Sequence, residues 1–171
     1  MAPAWLWIVL GALGVLRVAE LAVAHHAARR LTRMGARWVA EDGYVLLVVV
    51  HVLLFAGCLA EGLWASWARE GWWTFAGAFL FAVGMGLRYS SMAALGERWS
   101  TRVYALPDAP LVTKGPYRWM RHPIYAGVFL ELVAIPMLAG LWITLAGVAV
   151  LHVVALRRRI RIEETALGLS N

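Results

Sequence analysis

The sequence predicts an all-α integral membrane bundle of five transmembrane helices, the last two folded as a short helical hairpin. Three observations lead there. The 171 residues are 62% hydrophobic and only 15% charged, with a mean hydropathy of +0.69. Polar surface is then too scarce to cover a body of this size in water, and lipid must supply the remaining solvent. Charges interrupt the chain at only a few places, leaving apolar runs close to the about 20 residues that cross a hydrocarbon core. Basic residues cluster after alternate runs, as successive passes through a bilayer require. The same composition excludes a soluble enzyme, a disordered chain, collagen and a coiled coil.

The first span, residues 3–24, opens without a basic region and meets its first charge at Arg17, so it reads as a retained helix rather than a cleaved signal. Residues 43–64 form the second span, and residues 72–95, carrying Arg88, the third. After a polar stretch, the apolar region 123–156 contains Glu131 as its sole acid. As one helix these 34 residues would reach about 51 Å. They are expected to fold in two, over 123–139 and 141–159, with Pro136, Gly140 and Trp142 marking the turn.

Five passes put 13 of the 16 Lys and Arg at one face: Arg29, Arg30, Arg33 and Arg37; Arg98, Arg102, Lys114, Arg118 and Arg121; Arg157, Arg158, Arg159 and Arg161. The positive-inside rule makes that face cytoplasmic, and four passes would split the set. Trp5, Trp7, Trp64, Trp67, Trp72, Trp73 and Trp142 then form an aromatic belt at the opposite face. The net charge of +6 is accounted for by topology and anionic headgroups, without nucleic acid.

Several polar residues inside the spans read as structure. Arg17 and Glu20, three apart, are expected to neutralise each other, and Arg88 and Glu131 to pair between the third and fourth helices. His51 and His152 read as packed or interhelical hydrogen-bonding residues, Gly11, Gly14, Gly84 and Gly86 as close-packing positions, and Cys58 as packed or lipid-facing. His25 and His26 lie beside a basic run without clustered acids or cysteines, so they face headgroups and no metal site is expected.

Chemistry concentrates in two polar segments that the hairpin returns to one membrane face, the residues 96–125 before it and 157–164 after it. His122, Tyr125, Arg159 and Glu163 therefore converge despite their separation in sequence. Tyr117, Trp119 and Tyr125 offer faces to a planar ring, Arg121 and His122 offer polar contacts, and Pro123 suits the first turn of the fourth helix.

Gly115-Pro-Tyr-Arg-Trp-Met-Arg-His-Pro-Ile-Tyr-Ala-Gly127, followed after the hairpin by Arg159-Ile-Arg-Ile-Glu-Glu164, resembles the isoprenylcysteine carboxyl methyltransferase family of integral membrane enzymes. Arg17-Val-Ala-Glu-Leu21, Gly35-Ala36 and His51 further resemble its bacterial branch, often found beside type III polyketide synthases. The resemblance implies S-adenosylmethionine as cofactor, held by Pro110, Leu111, Val112, Tyr117, His122, Pro123, Ile124, Tyr125 and Glu163. Arg159 falls where the family contacts the methyl acceptor, so Arg159 and Glu163 are the catalytic candidates. The acceptor is expected to be lipophilic, a prenylcysteine or a long-chain polyketide lipid, and the location a bacterial inner membrane with the motifs facing the cytoplasm. Family members continue past the paired glutamates into a Gly-Glu-Tyr-like pattern, whereas seven residues follow Glu164 here.

Methyl transfer from a sulfonium is an in-line displacement that requires a positioned nucleophile and a dry pocket. A carboxylate acceptor is already ionised and suits a bidentate arginine, while a hydroxyl needs a base, for which Glu163, Glu164 and His122 are candidates. Two other readings accommodate the motifs: a membrane NADPH-dependent sterol-like reductase, whose family carries a similar Arg-His-x-x-Tyr pattern, and a non-enzymatic scaffold whose basic loops bind anionic lipid.

Overall fold

A computed structural model of the chain describes residues 2–39, 42–106 and 109–168. Among them are five α-helices: α1 (Ala4–Arg33), α2 (Asp42–Trp64), α3 (Trp72–Leu95), α4 (Pro123–Leu138) and α5 (Trp142–Ala166). The first three are each long and apolar enough to cross a membrane. At 16 residues, α4 is about 24 Å long. One departure from an all-α chain is a two-stranded antiparallel ribbon, β1 (Arg37–Trp38) with β2 (Tyr104–Ala105).

The helices run alternately up and down. At one end, the Ala2 amide donates to the Gly62 carbonyl, Trp5 donates to Glu70, Thr74 donates to the Leu138 carbonyl, and Trp73 packs edge-on against Trp142. This end collects the seven expected tryptophans. At the other, Arg30 bonds the Glu97 carbonyl, β1 pairs with β2, and Gly43 lies against the Arg159 backbone. All 13 basic residues assigned to one face sit at this second end.

α4 is apolar all round, with buried residues spread around it from Pro123 to Leu138, and such a helix must lie inside the bundle. It packs tightest against α3, where a Cβ on Gly84 would stand 2.9 Å from the Gly127 carbonyl and one on Gly127 2.8 Å from that of Gly84. Small residues let the two backbones approach. Gly11, Gly14 and Gly86 have open space where a side chain would go, so of the expected packing glycines only Gly84 serves that purpose. Leu6, Leu10 and Leu13 of α1, Val50 and Leu54 of α2, and Leu132 and Ile135 of α4 form the core, with Cys58 fully buried beside them.

Two boundaries differ from expectation. α1 continues past residue 24 through His25, His26 and the arginines to Arg33, because no breaker precedes Gly35, whose φ of +84° ends the run. Pro136 lies within α4 rather than in the turn. The reversal is made by Gly140 at φ +65°, with the Leu141 amide donating back to the Pro136 carbonyl at 2.9 Å.

Buried charges organise the middle of the bundle. Arg17 donates to Glu20 at 2.8 Å and also to Glu131, while Arg88 donates to Glu131 at 3.2 Å and to Glu20. The two expected pairs are one ring of alternating sign that ties α1 to α3 and α4, and the Tyr89 hydroxyl adds a bond to Glu20 at 3.0 Å. Near the tryptophan end, the buried Glu61 accepts the first-turn amides of α5, Ile143 at 3.1 Å and Thr144 at 2.7 Å. These are donors without an intrahelical partner, so α2 caps α5 from outside. Of the two expectations for His152 the packed one holds: it is buried and stacks on Phe129, and among the described residues neither ring nitrogen has a partner, while His51 Nδ1 bonds the Leu47 carbonyl of its own helix.

Candidate active site

The basic end of the bundle brings together the start of α4 and the last turns of α5. His122 immediately precedes α4, and Pro123 fills its first turn, where a missing N–H costs nothing. Tyr125 follows in that turn, facing α5. From α5, Arg159 is buried at 3% exposure. Its Nε donates to the Tyr125 hydroxyl at 3.0 Å, and Nη2 donates to the Thr101 carbonyl at 2.7 Å. The Tyr125 hydroxyl passes its own proton donation to Glu163. Guanidinium, phenol and carboxylate thus form a chain across the two helices, as the i to i+4 spacing of Arg159 and Glu163 permits.

A second chain lies beside it. His122 Nε2 donates to Glu164 at 3.1 Å, and His122 Nδ1 stands 3.9 Å from Glu163. The His122 and Tyr125 rings stack at 5.6 Å, locking both chains in one block. Arg121 is exposed and approaches Glu164 only to 3.9 Å. Tyr117 lies half-buried in a 3-10 turn over Gly115–Arg118. Burial and the nearby Glu163 carboxylate push its hydroxyl above the ordinary phenol range, so it remains a donor at neutral pH. Trp119 is 74% exposed, with the Arg118 guanidinium over its ring at 5.0 Å.

The segment before the Gly-Pro turn takes its place through Arg98, which donates to the Pro110 carbonyl at 2.7 Å. Leu111 lines a cleft of about 640 Å³ together with Ala166 and Leu167. Ala166 ends α5 and Leu167 caps it, two and three positions past Glu164, so the cleft lies at the end of the helix that carries the carboxylates. Its size falls in the range of small-molecule sites. Val112 and Ile124 are half-buried nearby in sequence, and Pro123 is buried.

The expected convergence of His122, Tyr125, Arg159 and Glu163 is therefore present, together with Glu164. Sequence reasoning missed the Thr101 carbonyl, which no side-chain pattern could signal, and the contribution of the α1–α2 connection to the cleft. Arg37 had counted only as one more residue of a basic run.

The arrangement is that of a membrane-embedded enzyme with its polar groups at one bundle end. The isoprenylcysteine carboxyl methyltransferase (ICMT) family model matches residues 76–168, more than half of the chain, and the chain belongs to that family. It is also 35% identical over 161 residues to a Bacillus subtilis (strain 168) protein, the uncharacterized protein YpbQ, covering 94% of this chain and 95% of that one. No solved structure matches.

Proposed function

We propose that this chain is an integral membrane methyltransferase that moves a methyl group from S-adenosylmethionine to an oxygen of a lipophilic acceptor. The observation that carries the reading is the block of His122, Tyr125, Arg159, Glu163 and Glu164 beside an apolar cleft at the bundle's basic end. The residues fit that cofactor. Its sulfonium is a cation that two carboxylates and stacked ring faces favour, and its nucleoside suits apolar walls. When bound, S-adenosylmethionine supplies an electrophilic methyl group.

Tyr117, His122, Tyr125 and Glu163, with the Pro110, Leu111 and Val112 segment, would hold it, Pro123 and Ile124 shaping the turn that presents them. Arg159 is held in place by Tyr125 and Thr101, and its guanidinium is the group suited to orient an acceptor carboxylate. For a hydroxyl acceptor, His122 paired with Glu164 is the group that can accept the proton. Burial between α4 and α5 shields Arg159 from water. The basic end faces the cytoplasm of a bacterial inner membrane, all five helices cross it, and the acceptor, a prenylcysteine or a polyketide lipid, arrives through the bilayer.

Calorimetry with S-adenosylhomocysteine on detergent-purified protein tests the reading. Micromolar binding by wild type, weakened in both His122→Ala and Glu163→Ala, is expected. Folded protein that ignores S-adenosylhomocysteine and binds NADPH would establish a reductase instead, and folded protein that binds neither would leave the basic end as a lipid-binding scaffold.

A further inference from the structure

We infer that Arg37, in the connection between α1 and α2, is a ligand-binding residue of this site that takes a carboxylate of an amphipathic ligand lying in the cleft. The inference rests on the methyltransferase reading and adds a residue outside the 76–168 match.

The argument begins with the ribbon. Arg37 pairs with Ala105 and Trp38 with Tyr104, and the Val39 amide extends the ladder by donating to the Val103 carbonyl at 3.1 Å. Successive residues of a strand point to opposite faces. Arg37, Val39 and Ala105 accordingly line the cleft together. Trp38, on the other face, lies under the Arg102 guanidinium at 5.7 Å, and Arg102 also covers the Tyr44 ring at 5.0 Å. One face of the ribbon is thus anchored by cation–π contacts, and that anchoring holds the other face toward the cleft.

Charge makes the face selective. The walls supplied by Val39, Leu106, Leu111 and Leu167 are apolar, and Arg37 is the one charged side chain lining the cleft among the described residues. A guanidinium at the edge of an apolar wall binds a planar anion bidentately while the wall takes the ligand's hydrocarbon. The acidic groups of the block, Glu163 and Glu164, bonded to Tyr125 and His122, closely precede the cleft-lining residues Ala166 and Leu167 in the chain. A ligand with a positive centre toward the glutamates and a carboxylate toward Arg37 matches both ends. That carboxylate has two sources, the amino-acid portion of the cofactor or the head of a lipophilic acid serving as acceptor.

The experiment compares wild type, Arg37→Gln, Arg37→Lys and the control Arg33→Gln, all purified in detergent and shown to unfold at the same temperature. Calorimetry is run with S-adenosylhomocysteine, with 5′-methylthioadenosine, which lacks the carboxylate, and with palmitate. A loss of about ten-fold or more in S-adenosylhomocysteine affinity in Arg37→Gln, with 5′-methylthioadenosine unchanged, assigns Arg37 to the cofactor carboxylate. The same loss confined to palmitate assigns it to the acceptor. Arg37→Lys should recover part of either loss, and Arg33→Gln should bind as wild type does. Wild type that binds S-adenosylhomocysteine while Arg37→Gln matches it for every probe overturns the inference and leaves the methyltransferase reading standing. Wild type that binds no probe overturns both.

Discussion

Two clusters of charge occupy this bundle, and they are built on opposite plans. In the ring of Arg17, Glu20, Arg88 and Glu131, each charge meets two of opposite sign, and Glu131 has no exposure at all. Its donors and acceptors are spent on one another, and the cation and anion counts match. The block at the basic end is open by contrast. Its carboxylates are part-exposed and bonded to uncharged or weakly basic partners, Tyr125 and His122, and an apolar cleft runs alongside. An intramembrane charge by itself suggests function. Here the closed ring explains its own charges as helix ties, and the groups with spare capacity beside a cleft are the ones equipped for chemistry.

The comparison breaks most readily at the ring. Arg88→Met leaves two buried carboxylates to share Arg17 and should destabilise the protein by about 3–5 kcal/mol. Adding Glu131→Leu removes the stranded partner and should restore much of that loss. Unfolding in mixed micelles checks both variants, and a double variant no better than the sum of the two single ones would show that the ring is not a unit. The block answers differently. Glu163→Gln and Arg159→Lys should lower methyl transfer from S-adenosylmethionine by about a hundred-fold, with unfolding little changed. Radiolabel incorporation into membrane lipid gives the rate, and a parallel loss of stability would place these two residues with the ring.

How much of this the sequence displayed depends on the range of each interaction. The second and third helices match the expected 43–64 and 72–95 because apolar runs and their ends are local properties. The end of α1 does not, since charge after residue 24 marks where a membrane stops and not where a helix stops. Pairing of Arg88 with Glu131 was legible from two lone charges in adjacent spans. That Arg17 and Glu20 close the same ring was not, because their i to i+3 spacing offers a sufficient partner within α1. At the site, the motif spacing announced His122, Tyr125, Arg159 and Glu163. The cleft's wall at Arg37 rests on a ribbon of two residues per strand, too short for any periodicity to mark.

Glu61 sharpens the contrast at a smaller scale, being a buried carboxylate that holds backbone instead of charge. Glu61→Ala exposes two amides of α5 to an apolar surrounding and should cost about 1–3 kcal/mol. Glu61→Gln retains one acceptor oxygen and should lose less. The unfolding temperature of the two variants reads the difference, and equal losses would mean that the side chain acts by packing alone.

His152 gives the smallest effect and separates the two plans most cleanly. It lies on the buried face of α5, seven positions before Arg159 and hence about 10 Å deeper along the helix. A buried polar group with a partner resists replacement, whereas one without a partner already bears the cost of desolvation. His152 stacks on Phe129 and bonds nothing among the described residues. His152→Leu keeps the apolar contact and removes both unsatisfied nitrogens, so stability should change by less than about 0.5 kcal/mol or rise. Methyl transfer should be unaffected as well. A loss of activity at preserved stability would extend the open block a further layer into the bundle, with His152 meeting a polar atom of the acceptor, and would move the boundary between scaffold and site from Arg159 to Phe129.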